Sequence, residues 1–95
     1  DYYQKNCRII AENRAYTVAE LEKLGFTTLP SLANFIFTRC PQVAGGALYR
    51  KLKERGVLVR HWEREEIRDY VRVTIGSREQ MDGFLQRVRD IVKEA

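Results

Sequence analysis

Apolar residues recur every three or four positions over the first two dozen residues, and this spacing predicts a first helix. Arg14 interrupts the apolar stripe. Gly25 follows the last stripe residue, at the position where a glycine commonly ends a helix. The stripe consists of Tyr3, Cys7, Ile10, Thr17, Leu21 and Leu24.

Two further stretches with the same spacing predict two more helices. The second helix is predicted from residue 42 or 43 to Arg55, where Gly56 ends it. The third is predicted to open at Ser77, because Gln80 follows three residues later as the partner in a capping box. Its apolar stripe is Met81, Phe84, Leu85, Val88, Ile91 and Val92.

Four short segments rich in apolar and β-branched residues predict extended chain. In chain order they are residues 26–29, 35–38, 57–59 and 71–75. In the last segment Val71, Val73 and Ile75 alternate with Arg72 and Thr74. Because successive side chains of a strand point to opposite faces, this alternation predicts a strand with one apolar and one polar face.

The predicted element order is α-β-β-α-β-β-α, which is an α+β fold, or α/β sandwich, with helices on a small, mostly antiparallel sheet. The 95 residues are enough for one domain, 1–95, with a modest core. The chain does not begin with Met, which favours a fragment of a longer protein. The polar segment 61–69 is predicted to be an exposed loop, with His61 exposed.

Charge and motif content exclude several classes of function. Lys and Arg number 17 against 13 Asp and Glu, a net charge of +4, but the two signs are interleaved, so a nucleic-acid partner is not expected. No apolar run approaches the roughly 20 residues that span a bilayer, so no membrane partner is expected. Cys7 and Cys40 lack metal-ligand spacing and are expected to be free and buried.

Three polar residues on or beside the predicted strands are candidates for ligand binding. Arg72 points away from the apolar face of its strand, and a guanidinium can hold a carboxylate or phosphate through two parallel hydrogen bonds. Arg60 follows segment 57–59, and Asn34 precedes segment 35–38. The pattern alone favours the ordinary interpretations, which are solvated or ion-paired arginines and a turn-forming asparagine.

Five short motifs occur in an order that resembles a known family. In chain order they are Leu-Gly-Phe at 24–26, Leu-Pro-Ser-Leu-Ala-Asn-Phe-Ile-Phe at 29–37, Leu-Tyr at 48–49 with Leu52, Gly-Val-Leu-Val-Arg at 56–60, and Tyr-Val-Arg-Val-Thr-Ile-Gly at 70–76. Together they resemble the C-terminal small domain of histidinol-phosphate aminotransferases, among the class I and II (fold-type I) pyridoxal-phosphate enzymes. Aromatic aminotransferases and threonine-phosphate decarboxylases carry similar strings.

The resemblance implies roles for the three candidate residues. Arg72 occupies the position of the family's arginine that grips the substrate α-carboxylate, and it would meet the phosphate of histidinol phosphate, which has no carboxylate. Arg60 occupies the position of an arginine that helps bind the phosphate. Asn34 matches an element that lines the cleft between the two domains of the family.

The resemblance also implies that the catalytic residues lie elsewhere. The family's Schiff-base lysine, its pyridinium-pairing aspartate and its phosphate cup belong to a large domain, and no lysine here has the matching sequence context. We therefore expect a fragment that is inactive alone, without catalytic, cofactor or metal residues. The implied parent is a cytoplasmic, homodimeric, pyridoxal-phosphate-dependent aminotransferase of histidine biosynthesis, acting on histidinol phosphate and 2-oxoglutarate to give imidazole acetol phosphate and glutamate.

Two alternatives to this function remain open from the sequence. One is a stand-alone, non-catalytic α+β module for interaction or regulation. The other is a related pyridoxal-phosphate enzyme, either an aromatic aminotransferase or a threonine-phosphate decarboxylase.

Overall fold

Three helices and three short strands make up the fold in the computed structural model, which describes residues 2–31 and 33–94 and side chains from residue 5 onward. The elements are α1 (Tyr2–Lys23), β1 (Thr27–Thr28), β2 (Phe35–Arg39), α2 (Gly45–Glu54), β3 (Val71–Thr74) and α3 (Arg78–Glu94). The sheet is antiparallel with strand order β1-β2-β3. The predicted α+β class with helices on a small antiparallel sheet is confirmed.

The third of the four predicted strands, over residues 57–59, is wrong. Gly56 ends α2 in the left-handed conformation at φ +82°, and the N–H of Val57 donates to the carbonyl of Leu52 at 2.9 Å. The main-chain N–H at the start of the segment is therefore used to end the helix. Val59 is buried and Leu58 is 79% exposed, so the segment supplies one core side chain without joining the sheet.

Helix ends follow the sequence signals closely. The N–H of Gly25 donates to Glu22 O at 3.0 Å and that of Phe26 to Leu21 O at 3.1 Å, which is the Schellman arrangement predicted by the glycine. The capping box is also confirmed, since Gln80 N donates to Ser77 Oγ at 3.1 Å and Ser77 N donates to Gln80 Oε1 at 2.9 Å.

The second helix begins two or three residues later than predicted. Residues 40–43 form a turn that is closed by a bridge between Cys40 and Val43, with Val43 N donating to Cys40 O at 3.3 Å. Gly45 is then the first helical residue. Ala44 is extended, with φ −60° and ψ 149°, so the helix cannot begin before Gly45.

One face of the sheet carries the core. Ile36, Thr38, Val71 and Val73 are buried there, beneath apolar side chains that all three helices contribute. The helix side chains in this core are Leu21, Leu48, Leu52, Met81, Phe84, Leu85, Val88 and Ile91. The opposite face of β2 and β3 presents Phe35, Phe37, Arg72 and Thr74, all half-buried or exposed, so the helices leave this face uncovered.

The buried face of α1 includes two polar side chains, Thr17, which belongs to the predicted stripe, and Asn13, which does not. Asn13 is buried and donates through Nδ2 to Gly76 O at 3.0 Å, which ties the helix to the end of β3. Thr17 is buried and donates to Asn13 O at 2.7 Å. Arg14, beside the stripe, donates through a terminal nitrogen to Ala33 O at 2.8 Å.

The expectation for the two cysteines is confirmed for Cys40, which is free and buried, and wrong for Cys7, which is free but exposed. Cys7 lies near the start of α1, where Arg8 and Ile9 beside it are also exposed, so this part of the helix has little packed against it. Tyr3 of the predicted stripe has its side chain outside the described part. In the part of the chain that the structure describes, no helix is long and apolar enough to cross a membrane.

We predict that Gly45→Ala destabilises the domain by about 1–3 kcal/mol, the usual cost of an overpacked atom. A Cβ at Gly45 would lie 2.8 Å from the carbonyl carbon of Asp69 and even closer to the carbonyl oxygen of Arg68. Urea denaturation would measure the loss. Gly46→Ala is the matched control, because its nearest neighbour would be 3.6 Å away and alanine is the better helix former. Equal stability of the two variants would contradict the prediction.

Candidate functional site

The uncovered face of the sheet brings Arg60 and Arg72 together. The two residues form an antiparallel bridge in which Arg60 N donates to Arg72 O at 3.0 Å and Arg72 N donates to Arg60 O at 2.8 Å. Directly opposed residues of an antiparallel pair project to the same face with their Cβ atoms about 5 Å apart. Two guanidinium side chains therefore leave the same face as neighbours.

Arg72 is enclosed more than Arg60. On its other side β3 pairs with β2, which places Phe37 directly opposite Arg72. The guanidinium carbon of Arg72 lies 5.0 Å from the ring centre of Phe35 and 5.3 Å from that of Trp62. Its Nε is buried and has no hydrogen-bond partner among the residues described. Arg60 is exposed.

Neither arginine forms an ion pair with a carboxylate in residues 2–31 and 33–94. The ion pairs of this part of the chain lie on the helices or in the loop, for example Lys23–Glu20 at 2.7 Å and Arg89–Glu20 at 3.1 Å. The hydrogen bond from Lys23 lowers the pKa of Glu20, and the nearby charges of Lys23 and Arg89 lower it further. Acidic groups thus neutralise cations on the helices, while Arg60 and Arg72 have no acidic partner in this part of the chain.

Asn34 stands apart from the arginine pair. Its carbonyl accepts a hydrogen bond from Ile75 N at 2.7 Å, which extends the pairing of β2 and β3 by one position. Ile75 is three residues along the chain from Arg72, about 10 Å at the usual strand rise. Asn34 is exposed, and its main chain has an evident structural role at the end of the sheet.

His61 is covered, not exposed as predicted. Its side chain is only 7% exposed, it stacks on Tyr49 with ring centres 6.0 Å apart, and Nε2 lies 2.8 Å from Arg68 O. The loop folds back so that Arg68 reaches the ring, which a polar composition alone does not reveal. The role of His61 is to hold the loop between Arg60 and β3.

A family comparison shows which class of protein this chain belongs to. The family model for aminotransferases of class I and II matches residues 1–88. The chain belongs to the class I and II aminotransferases. The resemblance stated from the five motifs is therefore confirmed.

Two curated relatives are histidinol-phosphate aminotransferases. This aminotransferase chain is 48% identical over 88 residues to that of Syntrophus aciditrophicus, covering 93% of the chain and 24% of the relative. It is 41% identical over 91 residues to histidinol-phosphate aminotransferase 1 of Pseudomonas fluorescens, covering 96% and 26%. The chain thus spans about a quarter of the length of these relatives.

A solved structure supports the fold. The histidinol-phosphate aminotransferase of Sinorhizobium meliloti, in complex with pyridoxal-5'-phosphate, superposes with a TM-score of 0.89 at 21% identity. The match covers 99% of this chain and 26% of that one.

The residues of this aminotransferase chain do not fit the role of holding pyridoxal phosphate, the cofactor that its family implies. The cofactor forms a Schiff base with a lysine in a pocket. Of the lysines here, Lys51 is half-buried and Lys5, Lys23, Lys53 and Lys93 are exposed. None lines the cavities beside β1, beside residues 56–59 or at the start of α2.

We predict that Arg60→Gln stabilises the ligand-free chain by up to about 1 kcal/mol, because like charges directly opposed in a sheet repel. The gain shrinks as salt is raised, since screening weakens the repulsion. Thermal unfolding at low and high ionic strength measures both effects. Arg8→Gln on α1, where Arg8 is exposed, is the control for the loss of one positive charge. An equal, equally salt-sensitive gain in the control would show that net charge alone is responsible.

Proposed function

We propose that this chain is the substrate-anchoring small domain of a pyridoxal-phosphate aminotransferase that acts on histidinol phosphate and 2-oxoglutarate. The relatives at 41% and 48% identity support the substrate, because both are histidinol-phosphate aminotransferases. The observation that carries the proposal is the Arg60–Arg72 bridge, which aligns two guanidiniums on one uncovered face.

The chemistry of the two substrates explains why two arginines are useful. A phosphate monoester carries close to two negative charges at neutral pH, so two guanidiniums can bind it through charge-assisted hydrogen bonds. The carboxylates of glutamate and 2-oxoglutarate carry one charge each, and a single bidentate arginine suffices for each of them. We assign the shared contact to Arg72, because it is the more enclosed of the two, and the additional phosphate contact to Arg60. We assign Asn34 to the rim of the substrate cleft, where its exposed side chain can contact the substrate or the rest of the enzyme.

The remaining parts of the enzyme lie outside this chain in our proposal. Pyridoxal phosphate supplies the electron sink of transamination, and a large domain holds it. This domain binds the substrate anion, orients it and helps to exclude water when the cleft closes. The functional unit is a cytoplasmic homodimer.

The size of the natural protein tests the first part of the proposal. An antibody against this chain should detect a protein several times heavier than these 95 residues, because the relatives are about four times as long. Purified from its source, that protein should show the absorbance of bound pyridoxal phosphate. A band at the size of the chain itself would instead support the stand-alone interaction module.

Kinetics of the purified parent protein test the anchoring roles. Arg72→Ala should lower kcat/KM at least about a hundredfold for both histidinol phosphate and glutamate. The reason is that the anionic group of the bound substrate would lose the arginine that neutralises it. Arg60→Ala should lower kcat/KM more for histidinol phosphate than for glutamate. Arg8→Ala, exposed on α1, should leave both values unchanged. An unchanged kcat/KM in Arg72→Ala would remove its anchoring role, and equal losses for the two substrates in Arg60→Ala would remove the phosphate role of Arg60.

A further inference from the structure

Two aromatic side chains lie beside the Arg72 guanidinium, and a third contacts both of them. Phe35 and Trp62 lie within the roughly 6 Å over which a cation is attracted to a ring. Phe37 joins them, with its ring centre 5.8 Å from Phe35 in an edge-to-face contact and 6.2 Å from Trp62. We refer to Phe35, Phe37 and Trp62 as the aromatic cluster.

We propose that Phe35 and Trp62 are positioning residues, which fix the orientation of the Arg72 guanidinium so that its nitrogens meet an incoming oxyanion in one geometry. This inference rests on the proposed function, in which Arg72 anchors the substrate anion. It adds Phe35 and Trp62 to the site and states how they act on Arg72.

The two rings come from opposite sides of β3. Phe35 lies on β2, and Trp62 lies two residues beyond Arg60, at the bridge on the other side. The guanidinium therefore has a ring contributed from each neighbour of its strand. An arginine side chain held in this way has already lost most of its rotational freedom, so less entropy is lost when a ligand binds.

Rings suit this task better than a carboxylate would. An aspartate or glutamate beside Arg72 would orient the guanidinium by accepting hydrogen bonds from it, and would then compete with the substrate for the same donors. The π faces attract the positive charge and leave the N–H groups unused. The buried Nε has no acceptor among residues 2–31 and 33–94, which agrees with this, since an unsatisfied donor is unfavourable unless another attraction holds it there.

Simple coverage of the sheet is the competing explanation for the aromatic cluster. Phe35, Phe37 and Trp62 are half-buried, and any apolar side chain of similar size could shield the sheet from water. Under that explanation leucine would serve as well as tryptophan in binding an anion. The difference between an aromatic and an aliphatic side chain at position 62 therefore separates the two explanations.

The test measures the affinity of this chain for inorganic phosphate by calorimetry. Trp62→Leu should raise Kd about three- to tenfold, which corresponds to the loss of one cation–π contact. Trp62→Phe, which keeps a π face, should recover most of the affinity. Tyr70→Leu is the matched control, because it removes the ring beside Arg39, 5.9 Å from its guanidinium carbon, and leaves the contacts of Arg72 intact.

A second measurement reports orientation without any ligand. The Nε–H signal of Arg72 in a proton–nitrogen NMR spectrum, assigned by its absence in Arg72→Lys, should be displaced by ring currents. In Trp62→Leu it should move toward the other arginine signals, and in Tyr70→Leu it should stay. If circular dichroism shows that Trp62→Leu does not fold, Phe35→Leu replaces it in both measurements, because Phe35 is the other ring beside Arg72.

The outcomes separate this inference from the proposed function. If Arg72→Lys weakens phosphate binding but Trp62→Leu binds like the wild type, or Trp62→Phe binds as weakly as Trp62→Leu, the positioning role is overturned and the anchoring role stands. If the wild type and Arg72→Lys bind phosphate equally, or neither binds it, the anchoring role is overturned, and the positioning role with it.

Discussion

The two main-chain hydrogen bonds between Arg60 and Arg72 are the constraint on which the candidate site depends. Because the two residues are directly opposed in an antiparallel pair, their side chains lie on the same face of the sheet. Two neighbouring positive charges would separate if nothing held their backbones. What holds them is on the reverse side of the sheet, where Val59, Val71 and Val73 are buried in the core. Hydrophobic burial on one face thus maintains an electrostatically unfavourable pair on the other.

The loop between the two arginines matters for the same reason. Eleven residues, 61–71, separate Arg60 from Arg72. All of them except Val71, the first residue of β3, lie outside the helices and strands. The loop is secured by the stacking of His61 on Tyr49 of α2, by the contact of His61 with Arg68 O, and by the close approach of Gly45 to the main chain at Arg68 and Asp69. Through these contacts α2 fixes the path of the chain from one arginine to the other.

The sequence predicted local features well because their causes are local. The alternation around Arg72 identified its face, and Gly25 and the Ser77–Gln80 pair located helix ends, since each depends on neighbouring residues alone. The strand over 57–59 failed because β-propensity does not say whether a neighbouring backbone is free to pair. The covered His61 and the position of Trp62 beside Arg72 arise from how a loop returns to the sheet. Charge spacing along the chain holds no information on that, and only the motif resemblance connected Arg60 with Arg72 in advance.

Arg72 lies against aromatic rings and forms an ion pair with no carboxylate of the described residues, in contrast to other charged groups of the domain. Elsewhere this small domain forms ordinary ion pairs, such as those of Glu20 with Lys23 and Arg89. The same solution at Arg72 would raise the stability of the free domain but would leave less positive charge for a substrate. Functional sites commonly break the rules that stabilise the rest of a fold. Under the proposed function this arrangement is expected. Neither Arg60 nor Arg72 is ion-paired in the described part of the chain, the core holds their backbones together, and the rings beside Arg72 attract its charge without accepting its hydrogen bonds.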